Sequence, residues 1–311
     1  MSPTDFLHGV EIAGIDAVKL VHYALLASIA LGAAVAARAV ISATDPYKIV
    51  DVESPSIAPS NIDTSGLTPR SLAINPAQKT LVLITAGQSL MADVFGPTVY
   101  VPANGAVIDN FNIYDGEAYP FGPKPAIGTG GWGGNVGPYL GDLFISNGVF
   151  NRVIVVPIAV TGTAIDQWVG DGPYAGRFAV AMKRLASRGI TPSTPGVTFM
   201  VAWGQGEKDT DLGTPQALYA ANLKAWIAQV RAAGFPGKIF VNIETMSSGV
   251  VSSAIQAAQM SVVDNVGVWQ GANWDALGES YRVDGTHPSD AGAPTFATNL
   301  YNAICGSGAL F

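Results

Sequence analysis

The sequence predicts an α/β protein built on a mainly parallel sheet. Three observations carry that expectation. Residues 81–85, 152–160, 197–203 and 238–244 are nearly unbroken apolar runs rich in Val, Ile and Phe. Such runs read as strands buried on both faces. Helical periodicity fills the intervals between them, at 178–185 and 214–232. Strand and helix alternating at this spacing form βαβ units with right-handed crossovers.

Composition bounds the function classes. Of the 311 residues, 49% are apolar and only 13% charged, so a large core is easily filled. The net charge of −7 leaves no basic stripe to neutralise phosphates, which excludes a nucleic-acid partner. The single cysteine, Cys305, reads as a small apolar residue on a terminal helix, and no Cys/His cluster has metal-ligand spacing. Of three histidines, His8 and His22 precede the globular part. A histidine base in that part must therefore be His287.

Three segments follow from the pattern. Residues 1–44 hold a hydrophobic helix. Within them, 20–37 runs 18 residues between Lys19 and Arg38 without a formal charge, the lower edge of bilayer-spanning length. Three readings stand: a membrane anchor with Ala27, Ala30 and Ala34 on a contact face, a signal peptide cut before Val40, or a helix packed in an assembly. They place the chain on a membrane, outside the cell or in a virion. Phe6-Leu7-His8-Gly9-Val10-Glu11 with Ile15-Asp16 resembles the opening of contractile-phage tail sheath proteins, which implies a virion context. Residues 45–78, rich in Pro, Ser, Asp and Asn, read as a linker or extended arm. Residues 79–311 read as one globular domain.

Within that domain, each strand ends in chemistry. The run 81–85 leads through Ala86-Gly87-Gln88 to Ser89, a sharp turn at the carboxyl edge of the sheet. Asn104-Gly105 and Asp115-Gly116 are turn signals, with a hairpin expected within 99–125. A glycine-rich stretch, 128–138, precedes a helix that begins near Tyr139. Helix 214–232 is expected to bury Leu218, Ala221, Leu223, Trp226, Ile227 and Val230. A helix at 252–264, a fifth strand at 266–270 and a closing helix at 291–304 complete the chain.

A serine hydroxyl needs a base, the base needs an orienting acceptor, and the oxyanion needs donors. Ser89, His287 and Asp284, three residues before the histidine, supply the first three. Gln205 at a strand end and the glycine loop supply donors. No metal is called for.

These residues fall in five ordered blocks: Gly87-Gln88-Ser89-Leu90, Gly133-Gly134-Asn135-Val136-Gly137-Pro138, Thr161-Gly162-Thr163-Ala164-Ile165-Asp166-Gln167-Trp168, Trp203-Gly204-Gln205-Gly206-Glu207-Lys208-Asp209, and Asp284-Gly285-Thr286-His287-Pro288. The set resembles the SGNH (GDSL-type) hydrolase superfamily in its sialate O-acetylesterase-like, carbohydrate-esterase branch. The resemblance implies a three-layer α/β/α flavodoxin-like fold and a cofactor-free serine esterase acting on acetylated carbohydrate. It implies Ser89 as nucleophile, His287 as base and Asp284 as orienting acid. The implied oxyanion hole joins the Ser89 N–H, a glycine N–H from Gly137 or Gly134, and the Gln205 amide. Gln88, Thr163, Glu207 and Trp168 are then support or substrate-binding residues. Two positions depart from the pattern: Leu90 stands for asparagine and Thr161 for glycine. Leu90 and the N-terminal segment keep a second reading open, a weakly active or inactive glycan-binding or structural module displayed on a membrane or virion.

Overall fold

A computed structural model describes residues 61–309, together with the backbone of two short antiparallel strands, Glu11–Ile12 and Ile15–Asp16. The hydrophobic stretch 20–37 lies outside the described residues. Among the described residues no helix is long and apolar enough to cross a membrane.

The apolar runs form the strands they predict. Seven strands make one sheet: β1 (Thr80–Gly87), β2 (Ile108–Phe111), β3 (Ala118–Pro120), β4 (Arg152–Pro157), β5 (Val197–Gly204), β6 (Lys238–Ile243) and β7 (Val268–Asn273). Their order is β3-β2-β4-β1-β5-β6-β7. Every neighbouring pair is parallel except the β2–β3 hairpin. β1 is central, pairing with β4 on one side and along its full length with β5 on the other.

Side chains alternate across β1, so both faces need a cover. Val82 and Ile84 join a core closed by α2 (Arg177–Ser187), α4 (Gln216–Ala232) and α5 (Ser253–Met260). Leu81 and Leu83 join a second core closed by α1 (Val136–Ser146) and α6 (Ala293–Gly306). A short helix, α3 (Glu207–Leu212), follows β5 directly. The result is the expected three-layer α/β/α architecture with a mainly parallel sheet.

One expectation is corrected. In α4, Leu218 is 52% exposed and Ala221 is also exposed, while Tyr219 is buried with Leu223, Trp226 and Val230. The expected stripe holds at Leu223, Trp226 and Val230, with Ile227 half-buried beside them, and Tyr219 faces inward in place of Leu218. Tyr219 is anchored there, because its hydroxyl donates to the Gln205 carbonyl at 2.5 Å. The hairpin expected within 99–125 is present as β2 and β3, paired antiparallel across Asp115-Gly116, although β2 is no apolar run. Its sequence is Ile-Asp-Asn-Phe, yet all four residues are buried. The polar atoms are met there: Arg152 donates to Asp109 from Nε at 2.9 Å and Nη2 at 2.7 Å. Asn110 exchanges two hydrogen bonds with the Ile127 backbone.

Residues 61–78 lie along the domain. Asn61 bridges to Thr129, Arg70 bridges to Ala118, and Ile62 is buried in the core.

Candidate active site

The site begins where β1 leaves the sheet. Gly87 has φ +117°, and a Cβ there would stand 1.8 Å from the Gly204 carbonyl oxygen. Only glycine permits this crossing against β5. Gln88 donates its N–H to Gly204 O at 2.8 Å, and Ser89 then opens a 3₁₀ turn, Ser89–Met91. Ser89 is nearly enclosed. Among the described residues, neither its hydroxyl nor its N–H has a hydrogen-bond partner.

Asp284 and His287 form a self-contained unit. Asp284 Oδ1 accepts the N–H groups of Thr286 (2.9 Å) and His287 (2.7 Å). Oδ2 lies 2.7 Å from His287 Nδ1. Burial pushes the Asp284 carboxyl up, but these hydrogen bonds outweigh it and hold it below the ordinary value. The aspartate is therefore ionised at neutral pH and keeps the proton on Nδ1. Nε2 is left as the basic nitrogen.

The loop is docked on the segment after β6, where Gly249 N–H donates to Gly285 O (2.9 Å) and Ser248 N–H to Thr286 Oγ1 (2.8 Å). From below, Arg282 donates to the Thr286, Trp274 and Leu277 carbonyls. Asp290, three residues past His287, accepts Thr98 N–H and Oγ1–H at 2.8 and 2.7 Å. That contact ties the His287 segment to the chain leaving the Ser89 turn. No hydrogen bond joins Ser89 to His287 among the described residues.

The expected oxyanion donors are placed less simply. Gly137 N–H donates to Asn135 Oδ1 at 2.8 Å, as part of the α1 N-cap. Gly134 N–H donates to Gly96 O at 2.9 Å. Gln205 Nε2 lies within reach of three acceptors: Gln88 Oε1 (3.1 Å), Thr163 O (3.0 Å) and Asp209 Oδ2 (2.6 Å). The Ser89 N–H is thus the one expected donor without another acceptor.

Gln88 braces the turn, since its Oε1 also accepts Lys208 N–H at 3.2 Å. Thr163 Oγ1 donates to Val160 O and accepts Trp168 Nε1–H. Trp168 is fully buried against Trp203 and Tyr174, which rules it out as a sugar platform and leaves it as support. The open indole is Trp132, 57% exposed in the glycine loop. That loop lies against the strand-like segment after Ser89, where Gly131 bridges to Asp93.

Three residues that carry no motif in the sequence also shape this site. Asp93 is buried, accepts Asn61 (2.7 Å) and Asn135 (3.1 Å), and is pushed to about 7 by burial. Glu244, after β6, faces Glu207; burial raises both, Glu207 to about 7 and Glu244 well above its ordinary value. Arg282 carries the loop of His287. A polar residue at a strand's carboxyl end was the available signal for Glu244. Asp93 and Arg282 offered none.

The comparisons agree with this architecture. Among solved structures, a protein from Arabidopsis thaliana superposes at TM-score 0.55 and 17% identity, covering 74% of this chain and 98% of its own. A carbohydrate acetylesterase from Xanthomonas citri follows at 0.42 and 18%, covering 72% and 56%. An acetyl xylan esterase from Geobacillus stearothermophilus gives 0.40 and 11%, covering 74% and 94%. At such identities the likeness is one of fold, carried by the Arabidopsis chain. No curated protein matches in sequence. The family model for carbohydrate esterases of the sialic acid-specific acetylesterase type matches residues 136–305, a stretch that includes Gln205, Glu207, Asp284 and His287 and begins after Ser89. With more than half of its length matched, the chain belongs to the sialic acid-specific acetylesterase family of carbohydrate esterases.

Proposed function

We propose that the chain removes O-acetyl groups from acetylated carbohydrate through Ser89, His287 and Asp284. The observation that carries this reading is the Asp284–His287 pair at 2.7 Å, set at the same sheet edge as the Ser89 turn. Ser89 Oγ attacks the acetyl carbonyl while His287 Nε2 takes its proton. The tetrahedral oxyanion is met by the Ser89 N–H. Collapse expels the sugar alcohol, which takes the proton from His287 and leaves an acetyl-serine. Water, deprotonated by His287, then releases acetate and restores Ser89. The exposed Trp132 indole offers an apolar face to a sugar ring beside this edge.

Acetate release from acetylated glycans and from an aryl acetate tests the reading. Ser89→Ala is expected to lower kcat by roughly three orders of magnitude or more. Equal rates in the two proteins would refute it.

The second reading, glycan binding without turnover, is favoured by one observation: the Gly134, Gly137 and Gln205 donors already have acceptors. Saturable glycan binding by a chain that releases no acetate would select it.

A further inference from the structure

Beneath the Ser89 turn lies a carboxyl pair that the reaction above does not use. Glu207 opens α3, and Glu244 directly follows β6. They are 3% and 1% exposed. Each carboxyl is within hydrogen-bonding reach of the other. None of the four oxygens has any other donor among the described residues. The backbone makes room for them: a Cβ on Gly204 would lie 2.1 Å from Glu244 Oε2 and 2.7 Å from Met91 Cγ. Glu244 thus sits against Gly204 and the turn that Ser89 begins.

Two ionised carboxylates in contact, buried and without donors, repel and lack solvation. One shared proton turns the same contact into a charge-assisted hydrogen bond. The cation that answers the remaining charge is Arg282. It is 8% exposed, its hydrogen bonds go to three carbonyls, and no carboxylate is within ion-pair distance of it among the described residues. The carboxylates acting on it are Asp275, Glu207, Glu244 and Asp284. Asp275 is held by Thr245, Met246 and Gln256. From the other side, Tyr219 of α4 faces Glu207, and Gln259 of α5 donates to the Glu244 carbonyl.

We propose that Glu207 and Glu244 hold one proton between them, and that their single negative charge, acting on Arg282 together with Asp275, positions the loop of Asp284 and His287. The lever is short, because Arg282 donates to Thr286 O, the residue before His287. These are positioning residues. Their role in turnover rests on the serine-esterase reading, whereas the shared proton does not.

Infrared difference spectra at pH 8 test the proton. The wild type is expected to show a protonated-carboxyl C=O band that Glu244→Gln removes, since the glutamine amide then donates to an ionised Glu207. Absence of such a band overturns the shared proton. The charge is tested by kinetics and by the His287 ring resonances. Glu244→Gln keeps one charge and should hold kcat within about twofold. Glu207→Gln combined with Glu244→Gln removes it and should lower kcat about tenfold at unchanged KM, with shifted His287 resonances. If the double variant does not fold, Glu207→Gln alone, with Glu244 kept neutral by burial, reads the same loss. Wild-type kcat and unmoved His287 resonances in the charge-free variant overturn the positioning role. A wild type without Ser89-dependent activity refutes the esterase reading instead, and the band and the resonances still decide the pair.

Discussion

At Gly87 one hydrogen atom in place of a methyl group decides whether the chain can turn out of the sheet into Ser89. Gly87→Ala would combine a left-handed backbone with a Cβ driven into the Gly204 carbonyl oxygen. A loss of about 3 kcal/mol or more is expected, read by denaturant unfolding. The neighbouring departures from the family pattern have physical readings of their own. Leu90 is fully buried with Leu81, Leu83 and Phe95, so apolar packing holds this turn where an amide would have hydrogen-bonded. Thr161 donates its hydroxyl to Gly130 O at 2.8 Å and so ties the third block to the glycine loop. Both residues strengthen local structure, and neither displaces Ser89, Asp284 or His287.

The glycine loop and α1 show how an element can spend the donors that a motif seems to offer. Asn135 caps α1 by accepting Gly137 N–H, and its amide donates to the buried Asp93. Asn135→Ala should cost about 1 kcal/mol for the cap, and more for the donor lost by Asp93, again by denaturant unfolding. It also releases Gly137 N–H. This arrangement explains what the sequence revealed and what it hid. The strands β1, β4, β5 and β6 are legible because burial on both faces demands continuous apolar runs. β2 is legible only through the Asp115-Gly116 turn signal, since Asp109 and Asn110 are satisfied by Arg152 and Ile127, partners remote in the chain. Asp284 and His287 are legible because their contact spans three residues. The Glu207–Glu244 contact is set by strand order, which places the ends of β5 and β6 side by side. The commitment of Gly134 and Gly137 is equally invisible, because it depends on which acceptors the folded loop brings near.

Across the whole molecule, buried acids set the pH response. Burial pushes Asp93 from 3.8 and Glu207 from 4.5 to about 7, and raises Glu244 well above its ordinary value. The folded state therefore keeps protons that the unfolded chain releases between those values. Stability is expected to fall as pH rises from about 4.5 through about 7. Thermal unfolding across that range checks the sign, and Glu244→Gln should flatten the slope. The sheet order has a consequence of another kind, for the nascent chain. β1 leaves the ribosome early, but β4 and β5, its two neighbours, follow only at Arg152–Pro157 and Val197–Gly204. Until then its apolar residues and ladder groups lack their native neighbours, the situation in which contacts between distant segments make folding slow and strand edges recruit other chains. The strand that leads into Ser89 is thus made before both of its partners and secured late, which leaves a half-synthesised chain open to association at that strand.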